Sequence, residues 1–293
     1  MTQDMLHKFL AFKDEIRVYS VESKQVLQSY LENVTCSAVT IAAIGRLMSG
    51  ALLMGAMLKN DEKLLLTIQG NGPLEMLQAE ADGIGNVRGF VKNPLCEIPL
   101  KENGHLDVSK AVGDIGILTV KKQLNLKEPF VGTSELISGE IAEDISYYFG
   151  TSEQTPTVVG LGVLVDVDYS VAQSGGFIIQ MLPNASEEAY TYVESLLKKI
   201  TSVSELIKEY GPKDLVTYLF EDARLLESYP VQFKCNCSFE YAKTLLQKID
   251  ENELKEMIEE DNGIEITCNF CQKKYYLSTD ELKTILEGKR CLH

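Results

Sequence analysis

The chain has 293 residues, room for two domains or for one domain with a smaller appendage, and its 45% hydrophobic content is ordinary for a protein that buries a core. Its 43 acidic residues against 28 basic ones leave a formal charge of −15. That balance argues against a nucleic-acid partner, because a phosphate backbone is bound by surplus Lys and Arg, and it favours solubility. Residues 1–10 contain Asp4 and no long apolar core, so no signal peptide is expected. The most apolar run, residues 41–58, is interrupted by Arg46 and Ser49 and reads as a buried helix, not as a membrane span. A reducing cytoplasm is the expected location.

Residues 20–31 show helical spacing at Val21, Val26, Leu27 and Tyr30, and residues 36–58 predict a second, longer helix. In that helix Ala38, Ala42, Gly45 and Ser49 form a stripe of small residues, suited to close approach by a sheet or another helix. Gly45, Gly50 and Gly55 share no face, so they read as packing residues and not as a cofactor loop. Strands are predicted over 63–69 and 74–81 around the turn Gly70-Asn71-Gly72-Pro73, and over 86–91 ending at Asn93-Pro94. Further strands are predicted over 115–120, 157–167 and 177–182, with a short helix over 140–149. Strands mixed with helices, without regular βαβ alternation, predict an α+β fold of mostly antiparallel sheets.

From Ser186 the pattern turns helical. Ala189, Val193, Leu196, Leu197 and Ile200 make one apolar stripe. Ser202-Val203-Ser204-Glu205 is a capping box opening a helix with Val203, Leu206 and Ile207 inward, which stops at Gly211-Pro212. Leu215, Val216, Leu219 and Phe220 mark a third helix. Three short amphipathic helices cannot bury their stripes alone, so they are expected to cap the N-terminal domain. The terminal segment, 231–293, is thin in apolar residues, with helices predicted over 242–249 and 251–260 and a hairpin over 263–268 and 274–277. A unit this small and this charged is marginal on burial alone.

That segment carries the chemistry. Four of the seven cysteines fall in two tight pairs, Cys235-Asn236-Cys237 and Cys268-Asn269-Phe270-Cys271. A pair separated by one or two residues turns both sulfurs towards one point, and two such pairs complete a tetrahedron suited to Zn²⁺. Four thiolates favour a soft metal over Mg²⁺ or Ca²⁺. A purely structural zinc site is the plainer reading, although zinc ribbons usually offer two C-x₂-C pairs, not one C-x-C. Cys36 and Cys96 read as small buried hydrophobes.

Enzyme readings find little support. His7, His105 and His293 lie in no catalytic motif and read as exposed. Gly160-Leu161-Gly162 lacks the third glycine of a dinucleotide fingerprint, and no Walker lysine follows a glycine-rich turn. A thioredoxin-like reading of Cys268 and Cys271 lacks its βαβ context.

The cysteine pattern resembles the redox switch of the 33 kDa heat-shock protein family, bacterial holdase chaperones activated by oxidation. It is carried by Pro230-Val-Gln-Phe-Lys-Cys235-Asn-Cys237-Ser with Ile264-Glu-Ile-Thr-Cys268-Asn-Phe-Cys271-Gln-Lys-Lys-Tyr275. Upstream, 172–183 (AQSGGFIIQMLP), 70–74 (GNGPL) and 89–94 (GFVKNP) extend the similarity over essentially the whole chain. Cys291 has no place in the pattern. The resemblance implies two layered sheets with helices in an N-terminal core, 1–183, a helical linker, 184–230, and a zinc-binding redox switch, 231–293. It implies that reduced, Zn²⁺-bound protein is inactive, and that oxidation releases zinc, unfolds switch and linker, and exposes apolar surface that holds unfolding client proteins without ATP. Short spacing favours the disulfides Cys235–Cys237 and Cys268–Cys271, which close loops too short to hold the switch folded. A homodimer, above all when oxidised, is a further expected partner; no pattern singles out client-contacting residues. The competing reading is a constitutive zinc-stabilised adaptor for one specific protein.

Overall fold

A computed structural model describes residues 3–259 and 263–290. The chain divides into two units, Met1–Lys234 and Cys235–His293, each with its own apolar core.

The first unit opens with a hairpin, β1 (Met5–Ala11) and β2 (Ile16–Glu22). Helix α1 (Lys24–Leu31) begins only after Ser23 and keeps Val26, Leu27 and Tyr30 inward. The helical spacing read from residue 20 was therefore too long at its start. Val21 fits both periods, and pairing with β1 decides for strand.

Helix α2 (Ala38–Gly55) is capped by Ser37, whose hydroxyl accepts from Thr40 N. Five strands follow it: β3 (Lys63–Gly70), β4 (Met76–Asp82), β5 (Asn86–Val91) and, after the short α3 (Val108–Val112), β6 (Gly116–Gln123) and β7 (Phe130–Glu135). Helix α4 (Ala142–Thr151) leads to the long hairpin of β8 (Thr157–Val165) and β9 (Val171–Met181). Helices α5 (Glu187–Leu197) and α6 (Val203–Leu219) then precede β10 (Arg224–Pro230) and β11 (Gln232–Phe233).

These strands form two sheets, ordered β10-β1-β2-β9-β8 and β11-β5-β4-β3-β6-β7. Among the described pairings only β11 with β5 is parallel. Helix α2 lies between the sheets, touching β3, β4 and β5 on one side and β2, β8 and β9 on the other. That position explains its unbroken apolar character. Among the described residues it is the one helix long and apolar enough to cross a membrane, and 89% of it is buried inside the protein. Gly45 permits the closest approach: a Cβ there would stand 2.6 Å from Leu27 Cδ2 and 2.9 Å from Val163 Cγ2.

The centre of the five-stranded sheet, β2 and β9, is buried on both faces. Tyr19, Val21 and Ile178 face the α2 side, while Ile16, Val18, Phe177 and Ile179 face a second core. That second core is closed by Ala189, Val193 and Leu196 of α5, by Ile207, Leu215, Val216 and Leu219 of α6, and by Phe220. The helical segment thus docks on a sheet, and Leu197 alone of its expected stripe is exposed. Gly211, with φ 73 and ψ 166, breaks α6 before Pro212, so the two helices read from the sequence meet at a kink.

The second unit holds α7 (Phe239–Leu246), α8 (Glu251–Glu259), the hairpin β12 (Gly263–Thr267) and β13 (Lys274–Ser278), and α9 (Thr279–Arg290). Glu260, the expected end of α8, lies outside the described residues, as do Cys291 and His293. Helix α9 was not anticipated. Its signal was present, since Ser278 and Glu281 cap one another's backbone N–H and Leu282, Ile285 and Leu286 share one face.

Candidate metal centre

Cys235 and Cys237 flank Asn236 at the head of the second unit. Ser238 then turns the chain into α7 by accepting Tyr241 N at 3.0 Å. Cys268 follows β12, and Cys271 sits in the loop returning to β13. That loop closes on itself: Cys268 N donates to Lys273 O at 2.9 Å and Gln272 N donates to Cys268 O at 2.8 Å. Gln272 takes φ 56, the left-handed step by which the chain turns back towards β13 after Cys271.

All four sulfurs lie within 4.8 Å of one another. Across the pairs the separations are 3.6 Å for Cys235–Cys268 and 3.3 Å for Cys237–Cys271. Sulfurs around a tetrahedral zinc stand about 3.8 Å apart, given Zn–S bonds of about 2.3 Å, so the donor set fits that ion. A sulfur–sulfur bond is only about 2.05 Å long, so each separation is that of free thiols. Cys271 is buried and the other three are half-buried.

The four thiols are not equivalent. Burial pushes Cys235 up and Cys271 well above the ordinary thiol range. Burial opposes ionisation of Cys237 too, but the Tyr275 hydroxyl and the neighbouring thiols outweigh it and bring that thiol down to about 7. The Tyr275 hydroxyl, on β13, donates to Cys237 Sγ at 3.1 Å, and its ring packs against Phe239 of α7. Its own proton is held tightly, first by that hydrogen bond and then by burial. The sequence places this residue in the motif around Cys271 but assigns it no role. Its one signal is position, in the strand that returns from the Cys271 loop.

The remaining cysteines and histidines lie elsewhere. Cys36 and Cys96 are each 7% exposed, and burial pushes the Cys36 thiol up to about 12, which makes it an inert protonated group at neutral pH. His7, expected to be exposed, is buried in β1, with Nδ1 2.7 Å from Ser228 Oγ of β10. The correction follows from β10, a strand whose sequence does not announce it. His105 is exposed.

An antiparallel α+β body joined to a small unit gathered around four thiols defines a class of protein, one with a cysteine-built metal or redox centre. The pattern of the family described as Hsp33 protein matches residues 4–278. The 33 kDa chaperonin of Staphylococcus carnosus is 44% identical over 290 residues, covering 98% of this chain and 99% of its own. That of Staphylococcus aureus strain JH9 is 41% identical over 291 residues with the same coverage. The crystal structure of the 33 kDa chaperonin of Thermotoga maritima superposes with a TM-score of 0.92 at 34% identity, covering 99% of this chain and all of that one. The chain belongs to the Hsp33 family of redox-regulated chaperones.

Proposed function

We propose that Cys235, Cys237, Cys268 and Cys271 hold one Zn²⁺ in the reduced protein, and that their oxidation to Cys235–Cys237 and Cys268–Cys271 disulfides turns on the holding of unfolding proteins. The observation that carries this is the gathering of four sulfurs within 4.8 Å in a unit whose fully apolar core is small. Among the described residues that core comprises Leu246, Leu254, Leu277, Leu282, Ile285 and Leu286. Bound Zn²⁺ supplies charge that keeps the sulfurs as thiolates and ties the two ends of the unit together.

The chain's own chemistry does the rest. A thiolate attacks a peroxide-class oxidant, one oxygen passes to sulfur as a sulfenic acid, and hydroxide leaves. The neighbouring thiolate displaces the sulfenic oxygen as a second hydroxide, so each disulfide passes two electrons from the cysteine pair to the oxidant, and both hydroxides become water on protonation. Sulfurs joined in disulfides no longer form a thiolate donor set. The switch, residues 231–293, then loses the tie that offsets its thin core and unfolds, and the linker, 184–230, loosens from the core domain, 1–183. The uncovered apolar surface binds unfolding clients without nucleotide. The protein acts in the cytoplasm, and the oxidised form pairs as a homodimer.

Zinc content, free-thiol count and aggregation of a heat-denatured test protein, followed through peroxide treatment of one sample, test this. Loss of one zinc and four thiols should accompany the onset of aggregation suppression. Zinc retained throughout, with binding to a single partner unchanged, would leave the constitutive adaptor.

A further inference from the structure

Between α6 and Cys235 the chain runs as an extended strap, residues 224–234, that seals an edge of each sheet in the first unit. Its first part, β10, pairs antiparallel with β1 from Met5↔Pro230 to Leu10↔Arg224. Its second part, β11, pairs parallel with β5 at Gln232↔Asn86 and Phe233↔Val87. The hold on this second part is largely backbone: Val231 N donates to Asp4 O at 3.0 Å, Gln232 N to Gly85 O at 2.9 Å and Lys234 N to Val87 O at 2.9 Å. Side chains alternate along it. Val231 is buried and Phe233 meets Tyr30 edge-on at 6.1 Å, while Gln232 and Lys234 face out. Gly85, at φ +92, lets the strap's backbone come close, since a Cβ there would stand 2.6 Å from Pro230 O.

The seat along β5 reads an extended backbone with apolar side chains at alternate positions and asks little else of the sequence. That is the form in which an unfolded polypeptide offers an apolar stretch, and an open sheet edge is the natural place for one to add. The strap also runs without a break into Cys235, so it is the segment next to any change at the cysteines. We propose that residues 224–234 are an intramolecular stand-in for client. When the strap withdraws, the edges of β1 and β5 take an extended apolar segment of an unfolding protein by strand addition. This rests on the oxidation-driven chaperone function above and names the surface that performs it.

A fluorescent peptide of residues 224–234 is the probe, titrated with the full-length chain in its oxidised and its reduced, zinc-loaded forms. The oxidised chain should bind it and release it to excess unfolded protein. The reduced chain, with its own strap in place, should bind at least about tenfold more weakly. Methylating the peptide amides equivalent to Gln232 and Lys234 removes two hydrogen bonds and should weaken binding by at least about tenfold. Equal affinity for the methylated peptide overturns strand addition. So does absence of peptide binding by an oxidised sample that suppresses aggregation of a heat-denatured test protein, which leaves the chaperone function standing. Peptide binding without suppression supports the edge site and removes the chaperone reading instead. Oxidised chains that pair with one another and resist the peptide assign the edges to a second copy and overturn the proposal.

Discussion

One hydrogen bond sets Cys237 apart from the three sulfurs around it. The Tyr275 hydroxyl reaches its Sγ, and this thiol is brought down, to about 7, while burial raises Cys235 and Cys271. A thiol that ionises near neutrality is the one that reacts first, because thiolate is the nucleophile. In metal-free, reduced protein, alkylation should therefore reach Cys237 before Cys235 and Cys271, with a half-maximal rate near pH 7. Tyr275→Phe keeps the ring and deletes the donor. A hydrogen bond to a charged group is worth about 1.5–3 kcal/mol, so the midpoint should move up by about one pH unit or more. Mass-spectrometric alkylation profiles read this directly, and an unmoved midpoint would show that the neighbouring thiols alone set the value.

At the level of elements, the docking of α6 decides whether the second apolar core is covered. The helix begins at Ser202, whose Oγ accepts Glu205 N, and its first turn rests directly on β8. A Cβ at Gly162 would stand 2.5 Å from Ser204 N and 2.8 Å from Ser204 Cβ, against backbone that cannot rotate out of the way. Gly162→Ala should push that turn off the sheet at a cost of about 1–3 kcal/mol, the usual range for overpacking. Faster amide exchange across residues 203–219 is expected, together with partial holding of clients before any oxidant is added. Protection equal to the parent protein would mean that the contact is slack. Phe220, Leu219 and Ile207 give the covered face its apolar character, each worth about 1.5–3 kcal/mol when fully buried.

For the whole molecule the contrast lies in what holds each unit. The first has a continuous core around α2 and a second under α5 and α6, with no metal-ligating cluster among its described residues. The second has few buried apolar residues and four converging sulfurs. Structural zinc contributes on the order of 10–16 kcal/mol of apparent binding free energy, against a net stability of about 5–15 kcal/mol for a domain. Chelation of the reduced protein should therefore abolish the heat-absorption peak of the second unit and the helicity of α7, α8 and α9, while a cooperative transition of the first unit persists. Calorimetry and circular dichroism with and without chelator check this. A second unit that still melts cooperatively without metal would show that its core suffices.

Much of this was legible in the chain itself. Cys235, Cys237, Cys268 and Cys271 were found by spacing, because ligands must converge and short spacing is how a chain makes them do so. β3, β5, the kinked helix at Gly211-Pro212 and the hairpin bearing Cys268 follow from local periodicity and turn residues, which act over a few neighbours. What the sequence did not disclose depends on partners far away along the chain. The end of β2, residues 20–22, shows helical spacing and becomes strand through pairing with β1 and β9, and β10 and β11 carry no strong strand pattern because each uses only one neighbour and exposes most of its side chains. His7 was misplaced for that reason, since its cover comes from Ser228, 221 residues away. Tyr275 was given no role because a hydroxyl aimed at a sulfur depends on how a hairpin packs against the start of α7. Spacing determines which side chains can meet, and tertiary packing decides which of them do.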